Sequence, residues 1–214
     1  MGYLEEFYAK IERLGIVPVV VIDDAADAAP LARALVAGGL PVAEVTMRTS
    51  AALDAIAAIV RYVPDAFVGA GTVLNVGQAR AAVDAGAGYV VSPGYDLGVV
   101  DWCLEHEVPC IPAGVTPTEV MALVNRGIAV TKFFPAAQFG GLSTIKALAS
   151  VFVGHRFMPT GGVNVANVGE YLANPAVIAC GGSWMVPRDL VAQGDFESIE
   201  RLSAEASALV GALR

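Results

Sequence analysis

VPVVVIDDAADAAPLARALVAGGLPVAEVTM, residues 17–47, decides the fold. Two short apolar runs, 17–22 and 43–47, flank an alanine-rich helical segment over 23–39. Each run is continuously apolar rather than alternating, as strands buried on both faces of a parallel sheet are. Outward from this unit the pattern repeats at FVGAGT (67–72), YVVSPG (89–94), PCIPAG (109–114), AVTKFFP (129–135), RFMPTGG (156–162) and VIACGGSW (177–184). Helical segments separate the runs; TSAALDAIAAIVRYVP (49–64) is expected to open on a Ser/Thr cap and to close before proline. Eight strand–helix units in one uninterrupted chain predict a closed (β/α)₈ TIM barrel rather than an open doubly wound sheet, in a single domain spanning 1–214. An amphipathic segment, Leu4 to Leu14, is expected as an extra N-terminal helix. No GxGxxG follows the first strand, which argues against a dinucleotide fold.

Composition narrows the function. The 214 residues carry 13 basic and 21 acidic side chains, a formal net charge of −8, with no basic cluster, so no nucleic-acid footprint is expected. The longest charge-free stretches are broken by residues such as Asn174, Pro175, Gly181 and Gly182, and no membrane span is expected. MGYLEEFYAKIERL has Glu5 and Glu6 in place of a signal peptide's basic region, so a cytoplasmic location is expected. Cys103, Cys110 and Cys180 form no CxxC pair, and His106 and His155 stand far apart. That spacing offers no zinc site; buried thiols and packing histidines are expected, with no metal or other cofactor.

Barrel active sites lie at the C-terminal ends of strands, and the polar or turn residues there are few: Glu44, Thr46, Arg48, Thr72, Pro93, Thr116, Lys132, Thr160, Gly161, Gly162 and Ser183. Lys132 is the sharpest signal. The chain has only three lysines; Lys10 and Lys146 fall in helical segments where solvated ammonium groups are expected, whereas Lys132 is embedded in an apolar strand. Such a lysine snorkels, pairs with an acid or loses its proton. The last state makes an amine that attacks carbonyls to form a Schiff base. Glu44, an acid inside another strand, is placed to move protons near it. Pairing of Glu44 with Arg48 is also possible, since that spacing puts both on one strand face, and the two readings are compatible. Arg48 at the strand end offers its fork to a carboxylate. Gly161–Gly162 and Gly181–Ser183 follow the last two strands, where barrels bind phosphate through backbone N–H groups. Trp184 and Met185 are expected to pack.

Together VPVVVIDD, EVTMRT, GAGTVLN, SPG, IPAGVTPTE, KFFPA, PTGG and GGSWMVP make the chain resemble, nearly end to end, the 2-keto-3-deoxy-6-phosphogluconate (KDPG) and 4-hydroxy-2-oxoglutarate (KHG) aldolases. One local departure is Ala113 before Gly114. The resemblance implies a class I aldolase with Lys132 as Schiff-base lysine and Glu44 as proton-transfer residue. It also implies Arg48 and Thr72 on the substrate carboxylate, and Phe134 and Pro93 as pocket walls. Thr160 would lie near the substrate hydroxyls, with Gly161, Gly162 and Ser183 at the phosphate. EVTMRT, where galactonate-pathway relatives show an EIPLNS-like segment, favours the gluconate-type substrate. The implied partners are a phosphorylated 2-oxo sugar acid, pyruvate and two further copies of the chain in a homotrimer. Left open beside this are an isomerase or synthase of phosphorylated sugars working without a covalent lysine, and a non-catalytic oligomeric scaffold.

Overall fold

The structure is a computed structural model that describes residues 2–213. Strands and helices alternate as expected. Helix α1 (Tyr3–Leu14) precedes β1 (Ile16–Val20), and α2 (Ala28–Ala37) leads to β2 (Val42–Thr46). Next come α3 (Ala52–Tyr62), β3 (Phe67–Gly71), α4 (Val76–Asp84), β4 (Val90–Val91), α5 (Leu97–Glu105) and β5 (Cys110–Ile111). The chain ends with α6 (Pro117–Val124), β6 (Val130–Phe133), α7 (Gly141–Val151), β7 (Arg156–Pro159), α8 (Val168–Leu172), β8 (Cys180–Gly182), α9 (Arg188–Gln193) and α10 (Phe196–Leu213).

All pairings are parallel. Six strands run in the order β5-β4-β3-β2-β1-β8, and β6 pairs with β7. Single bridges join the two groups, Ala113 to Lys132 on one side and Phe157 to Val177 and Thr160 to Gly181 on the other. The strands are shorter than the apolar runs they come from. In PCIPAG only Cys110 and Ile111 are strand, because Pro109 and Pro112 lack the N–H that a ladder needs. The eighth strand begins at Cys180, three residues into its apolar run.

Period-two alternation sorts side chains onto two faces. One face packs on the helices through residues such as Ala43, Val45 and Phe133. The other forms a separate cluster of Val17, Val42, Tyr89, Ile111, Val130 and Met158, covered by Phe7, Tyr8 and Ile11 of α1. Glu44 follows Val42 on that second face, and Lys132 follows Val130. Gly69 and Gly71 of β3 make room there: a Cβ at Gly69 would overlap the Tyr89 ring, and one at Gly71 the Glu44 carboxylate.

Two local expectations are corrected. Helix α3 has no side-chain cap; its N-cap is Ala51, and the Thr49 hydroxyl donates instead to the Ile22 carbonyl, tying the end of β2 to that of β1. Lys10 is not simply solvated. Its ammonium lies 3.8 Å from the Phe67 ring centroid, a cation–π contact, and burial followed by the nearby Arg13 charge lowers its pKa. No helix among the described residues is long and apolar enough to cross a membrane.

Candidate active site

Lys132 and Glu44 meet. The lysine Nζ donates to Glu44 Oε1 at 2.9 Å, with the two residues 4% and 0% exposed. Glu44 therefore pairs with the lysine of β6 rather than with Arg48. Its other oxygen, Oε2, is buried with no hydrogen-bond partner among the described residues. The Lys132 backbone is held by the segment after β5: its N–H donates to Pro112 O at 2.9 Å, and its carbonyl accepts from Gly114 at 3.1 Å. Ala113 bridges Lys132 directly. Below the pair the Tyr89 phenol donates to Ala43 O at 2.8 Å; burial first, then the Glu44 charge, push its pKa well up.

The Phe134 ring centroid lies 5.5 Å from Nζ. Beside it opens a cleft of about 310 Å³ lined by Arg48, Phe134, Thr160, Gly161, Gly162 and Ser183, together with Val19, Val21 and Arg188. Gly161 and Gly162 adopt φ of 91° and 83°, which side-chain-bearing residues rarely hold, and a Cβ at Gly162 would strike Ala137. Thr160 Oγ1 is buried without a hydrogen-bond partner among the described residues, beside Gly181. Trp184 packs its ring against Gly182, and Met185 is fully buried.

Six sequence-derived candidates thus share the cleft. Thr72 and Pro93 stand apart from its wall. Pro93 lines a separate depression with Val73, Ser92 and Tyr95. Thr72 follows Gly71, under the Glu44 carboxylate, and its φ of 58° is in the left-handed region, a strained state for a β-branched residue. Two other strand-end residues are structural. Thr46 donates to Val20 O at 3.0 Å, and Thr116 caps α6 in a reciprocal box with Glu119.

Arg188 escaped the sequence reading. It opens α9, and its guanidinium donates to both oxygens of Asp23, Nε to Oδ2 at 2.8 Å and Nη2 to Oδ1 at 2.7 Å. The hydrogen bond from Arg188 lowers the Asp23 pKa. An arginine just after GGSWMVP, beyond the eighth strand, was the available signal. Of the residues set aside, the three cysteines are buried, His106 stacks on Trp102, and His155 is buried against Thr131. No group of three or more His, Cys, Asp or Glu among the described residues is arranged to hold a metal ion.

A family model described as KDPG and KHG aldolase matches residues 8–202. The chain belongs to the KDPG and KHG aldolase family. Within that family it is 48% identical to the 2-dehydro-3-deoxy-phosphogluconate aldolase of Treponema pallidum over 96% of this chain and 98% of the relative. To the KHG/KDPG aldolase of Escherichia coli K12 it is 45% identical, over 89% and 90%. Among solved aldolases, that of Zymomonas mobilis ZM4 with 3-phosphoglycerate superposes with a TM-score of 0.89 at 43% identity, covering 94% and 95% of the two chains. The KDPG aldolase of Legionella pneumophila, with pyruvate captured as a covalent carbinolamine, gives 0.90 at 39% identity, covering 92% and 96%.

Proposed function

We propose that this chain is a class I aldolase, a carbon–carbon lyase. It cleaves 2-dehydro-3-deoxy-6-phosphogluconate to pyruvate and glyceraldehyde 3-phosphate, and 4-hydroxy-2-oxoglutarate to pyruvate and glyoxylate. The buried Lys132–Glu44 pair beside a glycine-walled, arginine-lined cleft carries this reading. The Lys132 amine attacks C2 of the 2-oxo acid to give a carbinolamine, which loses water with Glu44 as proton carrier and leaves an iminium. That iminium is the electron sink for the next step. Glu44 accepts the C4 hydroxyl proton, the C3–C4 electron pair flows toward the iminium, and the aldehyde departs. The enamine left on Lys132 is protonated at C3 and hydrolysed to pyruvate, restoring the free amine.

Arg48 and Thr72 hold the carboxylate in this scheme, Phe134 and Pro93 wall the reacting end, Thr160 faces the substrate hydroxyls, and Gly161, Gly162 and Ser183 receive the phosphate. Support comes from the cleft that brings Arg48, Phe134, Thr160 and the three phosphate-end residues together, and from the Gly71–Glu44 contact next to Thr72. The fold we infer is a complete (β/α)₈ barrel in one domain, with α1 as an extra N-terminal helix across its base. The single bridges on either side of β6–β7 support closure, as does an ion pair between β2 and β6, which lie opposite one another in a ring of eight. A cytoplasmic homotrimer completes the proposal, resting on family resemblance and apolar composition, with sedimentation as its check.

Borohydride added with pyruvate tests the centre of the scheme. Reduction of an imine attaches the three-carbon unit irreversibly, so Lys132 becomes modified and activity is lost. Modification of Lys10 or Lys146 instead would overturn the assignment.

A further inference from the structure

Arg188 and Asp23 sit where the chain closes on itself. Asp23 follows β1 and Arg188 follows β8, and these two strands are paired neighbours with Pro18 opposite Gly182. Among the described residues, Arg188 and Arg48 are the only charged ones lining the cleft. In the proposed chemistry Arg48 is committed to the 2-oxo acid carboxylate. A dianionic phosphate at the other end then has Arg188 as the remaining cation among the described lining residues, in a protein whose net charge is −8.

The guanidinium is already occupied. Its two parallel bonds to Asp23 use the fork geometry that also fits two oxygens of a phosphate. The pair is open to solvent, with side-chain exposures of 66% and 51%, and exposed ion pairs hold weakly. An anion entering the cleft therefore competes with an internal carboxylate for one fork. A phosphate, carrying more charge than a carboxylate, competes better. 4-Hydroxy-2-oxoglutarate ends in a carboxylate on a shorter chain and competes worse.

Building on the aldolase reading, we propose that Asp23 and Arg188 form a specificity clasp: Arg188 grips the phosphate end of the phosphorylated substrate in exchange for Asp23. Arg188 is thus a binding residue and Asp23 a positioning residue that sets the threshold an anion must exceed. The clasp acts on the preference between two substrates of one active site and leaves the bond-breaking step to Lys132 and Glu44.

The test compares kcat/KM for 2-dehydro-3-deoxy-6-phosphogluconate with that for 4-hydroxy-2-oxoglutarate, in the intact enzyme and in Arg188→Ala, Arg188→Lys and Asp23→Asn. Loss of a fork on a charged group lowers the ratio in Arg188→Ala by roughly 10-fold or more, expressed in KM rather than kcat. Arg188→Lys, which keeps the charge and loses the fork, falls between. Asp23→Asn moves the ratio the other way by lowering KM for the phosphorylated substrate. An unchanged ratio in Arg188→Ala, or an Asp23→Asn that shifts it in the same direction as Arg188→Ala or not at all, overturns the clasp. Pyruvate trapping on Lys132 is run on each variant: trapping with an unchanged ratio sinks the clasp alone, whereas failure of trapping in the unmodified enzyme sinks the aldolase reading beneath it.

Discussion

Lys132 Nζ donates to one oxygen of Glu44 at 2.9 Å while the other oxygen, also buried, has no partner among the described residues. An unsatisfied buried acceptor costs about 1–3 kcal/mol, so this is an expensive arrangement to keep for stability alone. It suits a carboxylate that must take a hydroxyl proton and return it. Glu44→Gln keeps the shape and a hydrogen-bonding group but carries no transferable proton. We expect kcat to fall by ~10²- to 10⁴-fold with a far smaller effect on pyruvate binding. Steady-state kinetics with pyruvate competition separate the two; turnover near the unmodified rate, with chemistry limiting, would give the proton transfer to another group.

The same pair makes a prediction about stability. Removing one member of a buried ion pair leaves the other uncompensated, at a cost of about 3–5 kcal/mol, whereas replacing both by apolar residues of similar volume is often neutral or stabilising by about 1–4 kcal/mol. Lys132→Met should therefore lower the unfolding free energy, and Lys132→Met with Glu44→Leu should recover it, both variants being inactive. Urea unfolding of the three proteins decides. A double variant less stable than the single one would mean that the pair is held for the fold.

Both residues were legible in the sequence for one reason: a charge inside a continuously apolar strand contradicts its surroundings, and period two then puts it on a definite face. The parallel α/β series was legible from the same apolar runs. What escaped was set by tertiary partners. Arg188 looks like an ordinary solvated arginine at a helix start until Asp23, 165 residues away, is placed beside it. Lys10 looks solvated until Phe67 comes under it. Thr49 looked like a helix cap, but a nearby carbonyl on β1's exit claimed its hydroxyl. Thr116 could have been read as structural, since TPTE is the spacing of a capping box.

Thr72 and Glu107 are the two non-glycine residues with positive φ among the described residues, at 58° and 54°. Each such conformation costs of order 1–3 kcal/mol. Glycine relieves it, less the entropy that glycine adds to the unfolded chain, roughly 0.5–1 kcal/mol. Thr72→Gly and Glu107→Gly should both raise the melting temperature. Only Thr72→Gly should raise KM, because Thr72 follows Gly71, which packs against the Glu44 carboxylate, whereas Glu107 follows α5, at the opposite ends of the strands. Equal kinetics in the two variants would remove Thr72 from the site and leave its strain without a functional reason.

His155 gives a prediction in pH. It is buried, its Nε2 lies 2.7 Å from Thr131 Oγ1, and its ring meets Phe157 edge-on with centroids 5.1 Å apart. Burial pushes its pKa from 6.5 down to about 4. Between those values the unfolded chain binds the proton more readily than the folded one, so stability rises with pH across this window. The contribution is fully present above about 6.5 and is lost as pH falls through about 4, below which both states are protonated. Asp23 and Asp195, whose pKa values are lowered from 3.8, act at lower pH and do not account for the same window. His155→Gln keeps a polar group for the Thr131 hydroxyl and takes up no proton, so its melting temperature should change less between pH 6.5 and 4.5 than that of the unmodified protein. Matching slopes in that window would mean that His155 is not the group whose protonation weakens the fold in acid.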